Sequence, residues 1–183
     1  ELPHNVRYLD YRDYREVAAA IREMVVRGAP MIGITAAYGM ALAARYGDAA
    51  SVAEVRAVLQ EAATTLRAAR PTAVNLFGAV DRVLARATDP ALETVSAVRA
   101  AVLDEAHAIY AQECQANLAI GRHALPLVPD DARVLHHCNT GPLATGEYGT
   151  ALRVIIAAHE AGKRVHVYVD ETRPRLQGAR LTT

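Results

Sequence analysis

The residues best suited to chemistry stand together late in the sequence, directly after a predicted strand. The letters HHCNTG at 136–141 follow the strand-like stretch at 132–136, and a helical pattern starts soon afterwards. A cysteine at the carboxyl end of a strand, near a helix start and close to arginines, can have its thiolate stabilised. We therefore take Cys138 as a candidate functional residue, with burial as a small core side chain as the alternative. Cys114 lies within a predicted helix without such neighbours, which favours packing.

Polar side chains also follow the next predicted strand. The letters DETR at 170–173 come directly after the alternating stretch at 164–169, and a run with Arg175, Gln177 and Arg180 continues from them. Ligands of an open parallel sheet bind at the carboxyl ends of its strands, so both segments are expected at one edge. The polar run fits an exposed loop equally well.

Two arginines stand beside residues that restrict the backbone. Arg27 precedes Gly28, Ala29 and a proline, and Arg70 is followed directly by a proline. An arginine held in this way suits the anchoring of a phosphate or of sugar hydroxyls. The alternative for each arginine, taken alone, is a helix-end side chain that contacts the last carbonyl groups.

The glycine-rich loop after Cys138 is not a nucleotide loop. Gly141 and Gly146 have the P-loop separation, but Glu147 stands where that loop needs lysine, and the dinucleotide pattern of glycines is absent. Backbone N–H groups at a helix start can still bind a monophosphate.

A metal site is not expected from the histidines. His136 and His137 are adjacent, so in a strand they face opposite sides and cannot bind one ion together. Cys138 shares a face with His136, but no further pair completes a tetrahedral set.

Composition restricts the class of protein and its partners. Of 183 residues, 52% are apolar, and 20 Lys and Arg balance 20 Asp and Glu. Nucleic acid and anionic membranes select a basic surface, so neither is expected as the main partner. No apolar run approaches the about 20 residues of a membrane span, and no signal peptide is visible. Because two cysteines are too few for a disulfide framework, we expect a globular, cytoplasmic protein.

The first two thirds of the chain predict helices. Capping-box patterns at Asp13 and Ser51 each precede an apolar helical stripe. Asp89, followed by proline, predicts the N-cap of a long amphipathic helix that runs to about His123. Before all of these, the alternating residues 6–10 predict a short strand.

The pattern changes near residues 124–131, where we place a domain boundary. A strand at 132–136, a helix at 152–159 and a strand at 164–169 form one strand–helix–strand unit, which predicts a parallel sheet. The fold class is therefore α/β. We expect a mainly helical N-terminal domain at 1–124 and the incomplete start of a Rossmann-like domain at 125–183.

Four long segments, taken together, resemble the methylthioribose-1-phosphate isomerase family of methionine salvage. They are VRGAPMIGITAAYGMALAA at 26–44, RPTAVNL at 70–76, HCNTGPLATGEYGTAL at 137–152 and VYVDETRPRLQGARLT at 167–182. The family also includes ribose-1,5-bisphosphate isomerases and regulatory subunits of the eukaryotic initiation factor that exchanges guanine nucleotide on its partner. The first three segments resemble the isomerase branch, and specifically its methylthioribose members.

The resemblance implies conversion of the aldose 5-methylthioribose 1-phosphate into the ketose 5-methylthioribulose 1-phosphate, without a cofactor. It implies that Cys138 is catalytic together with an aspartate of a later Asp-Asn-Met or Asp-Ser-Met motif. If the hydrogen moves as a proton rather than as a hydride, the cysteine is the base and the aspartate protonates the ring oxygen. It also implies a sugar-phosphate ligand between two domains and a homodimer. The implied substrate-binding positions are Arg27, Gly28, Ala29, Arg70 and Gln177.

The chain departs from the family pattern in several places. It opens at Glu1 without Met and stops at Thr183, before the aspartate motif, so we expect an incomplete chain that is inactive alone. Gly78 replaces an expected tryptophan, and Pro142 stands where a small residue is usual. Two alternatives stay open: a ribose-1,5-bisphosphate isomerase, and a non-catalytic, regulatory-subunit-like protein that binds a sugar phosphate or nucleotide.

Overall fold

A computed structural model of the chain describes residues 2–173 and 175–183. In chain order, the elements are α1 (Tyr14–Arg22), α2 (Ala29–Tyr46), α3 (Val52–Ala69), α4 (Val74–Ala87), α5 (Val95–Ala124), a 3₁₀ turn (Leu125–Leu127), β1 (Asp131–His136), α6 (Pro142–Thr145), α7 (Ala151–Glu160), β2 (Arg164–Val169) and a π-helical segment (Gly178–Thr182). Within the described ranges, no helix is both long enough and apolar enough to cross a membrane.

Backbone contacts divide the chain into two compact units. The helical unit is Asp10–Gln112, and the α/β unit combines the stretch that ends at Leu9 with Glu113–Thr183. The division falls inside α5, so this helix supplies residues to both units. The domain boundary expected at 124–131 stays a prediction.

Close helix contacts build the core of the helical unit. A Cβ on Gly33 of α2 would lie 2.8 Å from the backbone oxygen of Asn75 in α4. A Cβ on Gly39 would lie 3.1 Å from Val17 and 3.2 Å from Leu66. Small residues in α2 therefore let three neighbouring helices pack closely against it. The largest fully buried side chains of this unit are Ile21, Met40, Leu59, Leu66, Leu76, Val55, Val80, Val83, Val98 and Val102.

Side chains cap α1 and α3 at the two predicted residues, but the predicted capping box is complete only at Asp13, because the Glu54 carboxylate accepts from Ala50 N–H at 2.7 Å rather than from Ser51 N–H. Asp13 and Glu16 form a full capping box at the start of α1. At the start of α3, the Ser51 hydroxyl accepts from the N–H of Glu54 at 3.2 Å. Both caps pair N–H groups that a helix leaves unpaired at its start.

Arginines satisfy carbonyl groups at two helix ends. Arg99 of α5 donates to the oxygen of Ala44 at 2.7 Å and to that of Gly47 at 3.0 Å. Arg56 of α3 donates to the oxygen of Ala87 at 2.9 Å. Because these carbonyl groups have no partner within their own helix, each arginine ties two helices together.

The N-cap predicted at Asp89 is wrong. The long helix begins later, at Val95, and the Thr94 hydroxyl accepts from the N–H of Ala97 at 3.1 Å. The Asp89 carboxylate instead accepts from Ala91 N–H at 2.9 Å, which closes a turn. Local bonds of this kind compete with helix capping, and here the turn uses the carboxylate.

The short strand predicted at 6–10 is also wrong. These residues form no regular element, and Val6 and Tyr8 are exposed. Alternating side chains make a strand only where a neighbouring strand pairs with the backbone. Among the described residues, β1 and β2 pair only with each other.

The predicted strand–helix–strand unit is confirmed. β1 and β2 are parallel, with a register that runs from Asp131 opposite Arg164 to His136 opposite Val169. α7 lies between them in the chain and ends at Glu160, and the turn after it contains Gly162, whose φ is +81°. A left-handed backbone at this position suits glycine, which has no Cβ to clash.

Tyr14 supplies a pH-dependent contribution to the stability of the helical unit. Its side chain is buried, and its hydroxyl donates to Glu61 Oε1 at 2.7 Å. Burial first, and the bond to Glu61 second, raise the pKa of Tyr14 from 10.0 to about 12. The neutral phenol therefore contributes stability that is fully present below pH 10 and is lost as the pH rises through about 12.

We predict that the free energy of unfolding in urea falls more steeply from about pH 10 to about pH 12 in the wild type than in Tyr14→Phe. Tyr8→Phe is the matched control, because Tyr8 is 89% exposed. It should keep the wild-type slope. Parallel pH curves for the wild type and Tyr14→Phe would contradict the role given to this phenol.

Candidate functional site

Cys138 lies just beyond the carboxyl end of β1 in a left-handed backbone conformation. Its φ is +69°, and its side chain is half-buried. A positive φ outside glycine is uncommon and costs about 1–2 kcal/mol. Such strain persists only where the surrounding structure holds it, and it concentrates at functional sites. Cys138 is one of three non-glycine residues with a positive φ in the described ranges, and its catalytic role stays a prediction.

A hydrogen-bonded threonine holds the turn that carries Cys138. The Thr140 hydroxyl lies 2.9 Å from Nε2 of the buried His136 and accepts from Leu152 N–H at 2.9 Å. The Thr140 carbonyl accepts from Thr150 N–H at 2.9 Å. One residue thus connects the end of β1 to the start of α7. Neither His136 nor Thr140 was a predicted site residue, since their contact depends on how the turn closes.

The segment after β1 contacts the segment after β2, as expected for the ends of parallel strands. His137 Nδ1 lies 3.2 Å from Asp170 Oδ2, in an exposed pair. Asn139 Nδ2 donates to Thr182 Oγ1 at 3.1 Å. The two neighbours of Cys138 in the chain are therefore both paired with residues beyond β2.

Gln177 lies in the loop between β2 and the π-helical segment and is half-buried. Its N–H donates to Thr172 Oγ1 at 3.2 Å, and its Oε1 accepts from the same hydroxyl at 3.2 Å. Leu176, the residue before it, has a φ of +50°. Of the three non-glycine residues with positive φ in the described ranges, Cys138 and Leu176 thus belong to the candidate site.

A carboxylate that the sequence did not single out closes this loop. Glu171 accepts from the N–H groups of Thr172 at 2.7 Å, Gly178 at 2.8 Å and Ala179 at 3.1 Å. These backbone bonds, the one from Ala179 most strongly, hold the pKa of the Glu171 carboxyl below its usual value. The letter pattern shows an acidic residue after a strand, but not which N–H groups it meets.

The other predicted binding residues belong to the helical unit. Gly28 has a φ of +94° and precedes α2, which begins at Ala29 and has proline in its first turn. Arg27 is half-buried directly before this glycine. Arg70 is half-buried at the end of α3. The convergence of Arg27 and Arg70 with Cys138 stays a prediction.

The helical unit also contains a cavity of about 470 Å³, lined by Tyr11, Val17, Met31, Ile34, Thr35, Tyr38, Leu42 and Tyr110. The residues that line it include no arginine, lysine or histidine. In the chain as described, no group of three or more His, Cys, Asp and Glu side chains is placed to hold a metal ion.

The two departures from the family pattern fit their surroundings. Pro142 begins α6. Proline is tolerated in the first turn of a helix, because the N–H group that it lacks would have no partner within the helix. A Cβ added at Gly78 would meet no atom within 4 Å apart from its chain neighbours and the nearby backbone of α4, so this position is open.

Comparison with known proteins places the chain in a family. The initiation factor 2 subunit family matches residues 25–183. This chain belongs to that family. A methylthioribose-1-phosphate isomerase from Syntrophotalea carbinolica is 56% identical over 181 residues, which are 99% of this chain and 53% of that protein. The chain thus spans about half the length of the curated relatives it matches.

Two solved structures share this fold closely. The 5-methylthioribose 1-phosphate isomerase from Pyrococcus horikoshii is 37% identical with a TM-score of 0.87, over 99% of this chain and 51% of that one. The structure described as translation initiation factor eIF-2B, subunit delta, from A. fulgidus is 41% identical with a TM-score of 0.87, over 99% and 53%. The resemblance stated from the sequence is confirmed.

We predict that Thr140→Val lowers the free energy of unfolding by about 1–3 kcal/mol, because Leu152 N–H and His136 lose their partner. Valine has nearly the same shape, so the loss reports the hydroxyl. Thr140→Ser keeps the hydroxyl and should stay within about 0.5 kcal/mol of the wild type. Equal unfolding midpoints for the two variants in urea would show that the hydroxyl does not hold this turn.

Proposed function

We propose that this chain is part of an aldose–ketose isomerase that converts 5-methylthioribose 1-phosphate into 5-methylthioribulose 1-phosphate in methionine salvage. The observation that carries the proposal is Cys138, half-buried and held at a positive φ beyond the parallel strands. Relatives named methylthioribose-1-phosphate isomerase, 46–56% identical to this chain, support it.

The phosphate on C1 makes this reaction difficult, because the sugar cannot open spontaneously to a free aldehyde. In the proton route, a base removes the proton from C2 while the bond from C1 to the ring oxygen breaks and that oxygen gains a proton. The resulting enol then takes a proton at C1 and loses the proton of its C2 hydroxyl, which leaves a ketone at C2. Since C2 is oxidised and C1 reduced within one molecule, no external electron acceptor is required.

The proposed roles follow from the chemistry of the side chains. Cys138 is the base in the proton route, since a thiolate can accept a proton from carbon near neutral pH. Arg27 and Arg70 bind the phosphate, as guanidinium groups pair well with phosphate oxygens. Gly28 and Ala29 offer backbone N–H groups near the start of α2, and Gln177 binds sugar hydroxyls.

Asp170 is not assigned the role of the acid that protonates the ring oxygen. Its carboxylate is paired with His137 at an exposed position. In the proposed enzyme, that role belongs to an aspartate of an Asp-Asn-Met or Asp-Ser-Met motif, which these 183 residues do not contain. This chain alone would then be inactive, while the whole protein would work in the cytoplasm as a homodimer without a cofactor.

Two other functions use the same fold. The A. fulgidus structure described as an eIF-2B subunit favours a non-catalytic protein that binds a sugar phosphate or nucleotide and assembles with partners. A ribose-1,5-bisphosphate isomerase would use the same chemistry on a substrate with a second phosphate in place of the methylthio group.

Turnover by the full-length protein separates these functions. We expect the protein to convert 5-methylthioribose 1-phosphate and to leave ribose 1,5-bisphosphate largely unchanged, with product followed by phosphorus NMR. Preferred turnover of the bisphosphate would support the second isomerase. Binding of either sugar phosphate without turnover would support the regulatory-type protein.

We predict that Cys138→Ser in the full-length enzyme lowers kcat by roughly 10²–10⁴, because a hydroxyl cannot readily supply the anionic base. The fold should persist, since the packing change is on the order of 1 kcal/mol. Alkylation of Cys138 should inactivate the enzyme, and bound substrate should protect it.

Cys114→Ser is the matched control for this variant. Cys114 is buried in α5, and its thiol donates to Glu147 Oε2 at 3.6 Å, a bond that serine can replace. This variant should keep wild-type turnover. Near wild-type turnover by Cys138→Ser would instead make Cys138 a packing residue.

A further inference from the structure

Glu171 holds both ends of the loop that carries Gln177. The Gln177 loop is residues 172–177, of which the structure describes all but Pro174, and the π-helical segment follows directly at Gly178. Glu171 Oε1 accepts from Thr172 N–H at the start of this loop and from Gly178 N–H near its end. Oε2 accepts from Ala179 N–H. Bonds from N–H groups to an ionised carboxylate are stronger than neutral ones, so one side chain closes the whole loop.

The return of the loop onto Glu171 is tight. Gly178 is buried, and a Cβ there would lie 2.8 Å from the carbonyl oxygen of Asp170 and 3.1 Å from Cα of Glu171. Only a residue without a side chain allows this approach. Gln177 directly precedes this glycine, so the position of Gln177 depends on the loop staying closed against Glu171.

The closed loop also reaches the turn that contains Cys138. Thr182, in the π-helical segment that follows the loop, donates to the Gln177 carbonyl at 3.3 Å and accepts from Asn139 Nδ2 at 3.1 Å. Asn139 is the next residue after Cys138. A continuous set of hydrogen bonds therefore joins Glu171, Gln177 and the Cys138 turn within the α/β unit.

We propose that Glu171 is a positioning residue for substrate binding: its carboxylate keeps the Gln177 loop closed and holds Gln177 beside the Cys138 turn. The inference rests on the proposed function, in which Gln177 contacts the sugar phosphate. Glu171 itself touches no substrate, since its two oxygens face backbone N–H groups. Its substitution should therefore weaken binding through Gln177 and leave the reaction at Cys138 nearly intact.

The test compares Glu171→Gln, Gln177→Ala and the double variant in the full-length enzyme. An amide places an NH₂ group against a backbone N–H, so at least one bond to the loop is lost. We expect Glu171→Gln to raise KM about tenfold with kcat within about threefold of the wild type. The double variant should be no worse than Gln177→Ala, because Glu171 acts through Gln177. If the KM of the double variant rises by the product of the two single-variant increases, the proposal is overturned.

Glu160→Gln is the matched control. It removes the same charge from the same unit, where Glu160 pairs with Arg153 on α7 and not with the loop. This variant should keep the wild-type KM and kcat. A similar rise in KM for Glu160→Gln would mean that the charge of the unit, rather than the loop, controls binding, and would overturn the inference.

Proteolysis gives a readout that does not depend on activity. Arg175 is exposed in the loop, and trypsin cuts after arginine. Opening of the loop in Glu171→Gln should speed cleavage after Arg175, while Glu160→Gln should be cut at the wild-type rate. An unchanged cleavage rate in Glu171→Gln would overturn the closure. If the wild type turns over neither sugar phosphate, the proposed function and the substrate role of Gln177 fail, while faster cleavage still supports the closure by Glu171.

Gly178→Ala provides a second way to open the loop should Glu171→Gln fold poorly. The added methyl group would meet the Asp170 carbonyl oxygen and push the loop away from the carboxylate. We expect the same rise in KM and the same faster cleavage after Arg175. A Gly178→Ala enzyme with wild-type KM and wild-type cleavage would contradict the need for a closed loop.

Discussion

Parallel pairing of β1 with β2 is the constraint on which the candidate site depends. It places the ends of both strands at one edge, with His136 opposite Val169, so the polar segments that follow start side by side. Hydrogen bonds from His137 to Asp170 and from Asn139 to Thr182 then join the two segments. A single strand could not do this, because each segment satisfies polar groups of the other.

The strained backbone at Cys138 follows from the same constraint. After β1 ends at His136, the chain must turn so that Thr140, four residues later, contacts both His136 and the start of α7. Thr140 holds that path through its bonds to His136 and to Leu152 N–H, and the positive φ of Cys138 is the local cost. In the proposed isomerase, this strain would hold the thiol in one place and so favour proton transfer in a fixed geometry.

Sequence reasoning predicted well where neighbouring residues decide the structure. The caps at Asp13 and Ser51 and the strand–helix–strand unit each depend on spacings of a few residues, and they are confirmed. Sequence reasoning failed at two places, where the partner that the local pattern requires is missing or is replaced by another interaction. Asp89 has the chemistry of an N-cap but serves a turn, and residues 6–10 alternate like a strand without a strand beside them. Capping and pairing both need a partner that the pattern does not name.

The sequence by itself determined the family, most of the helices, the strand–helix–strand unit, and Cys138 as the candidate catalytic residue, because long ordered motifs and local periodicity carry that information. Only the tertiary structure decided that Glu171 meets Gly178 and that Asn139 meets Thr182, 43 residues later. The physical reason is whether an interaction depends only on neighbouring residues or on the folded arrangement of the strands and loops. Helix caps and alternating faces arise from interactions within one or two turns, whereas these bonds form only after the strands have paired and the loops have closed.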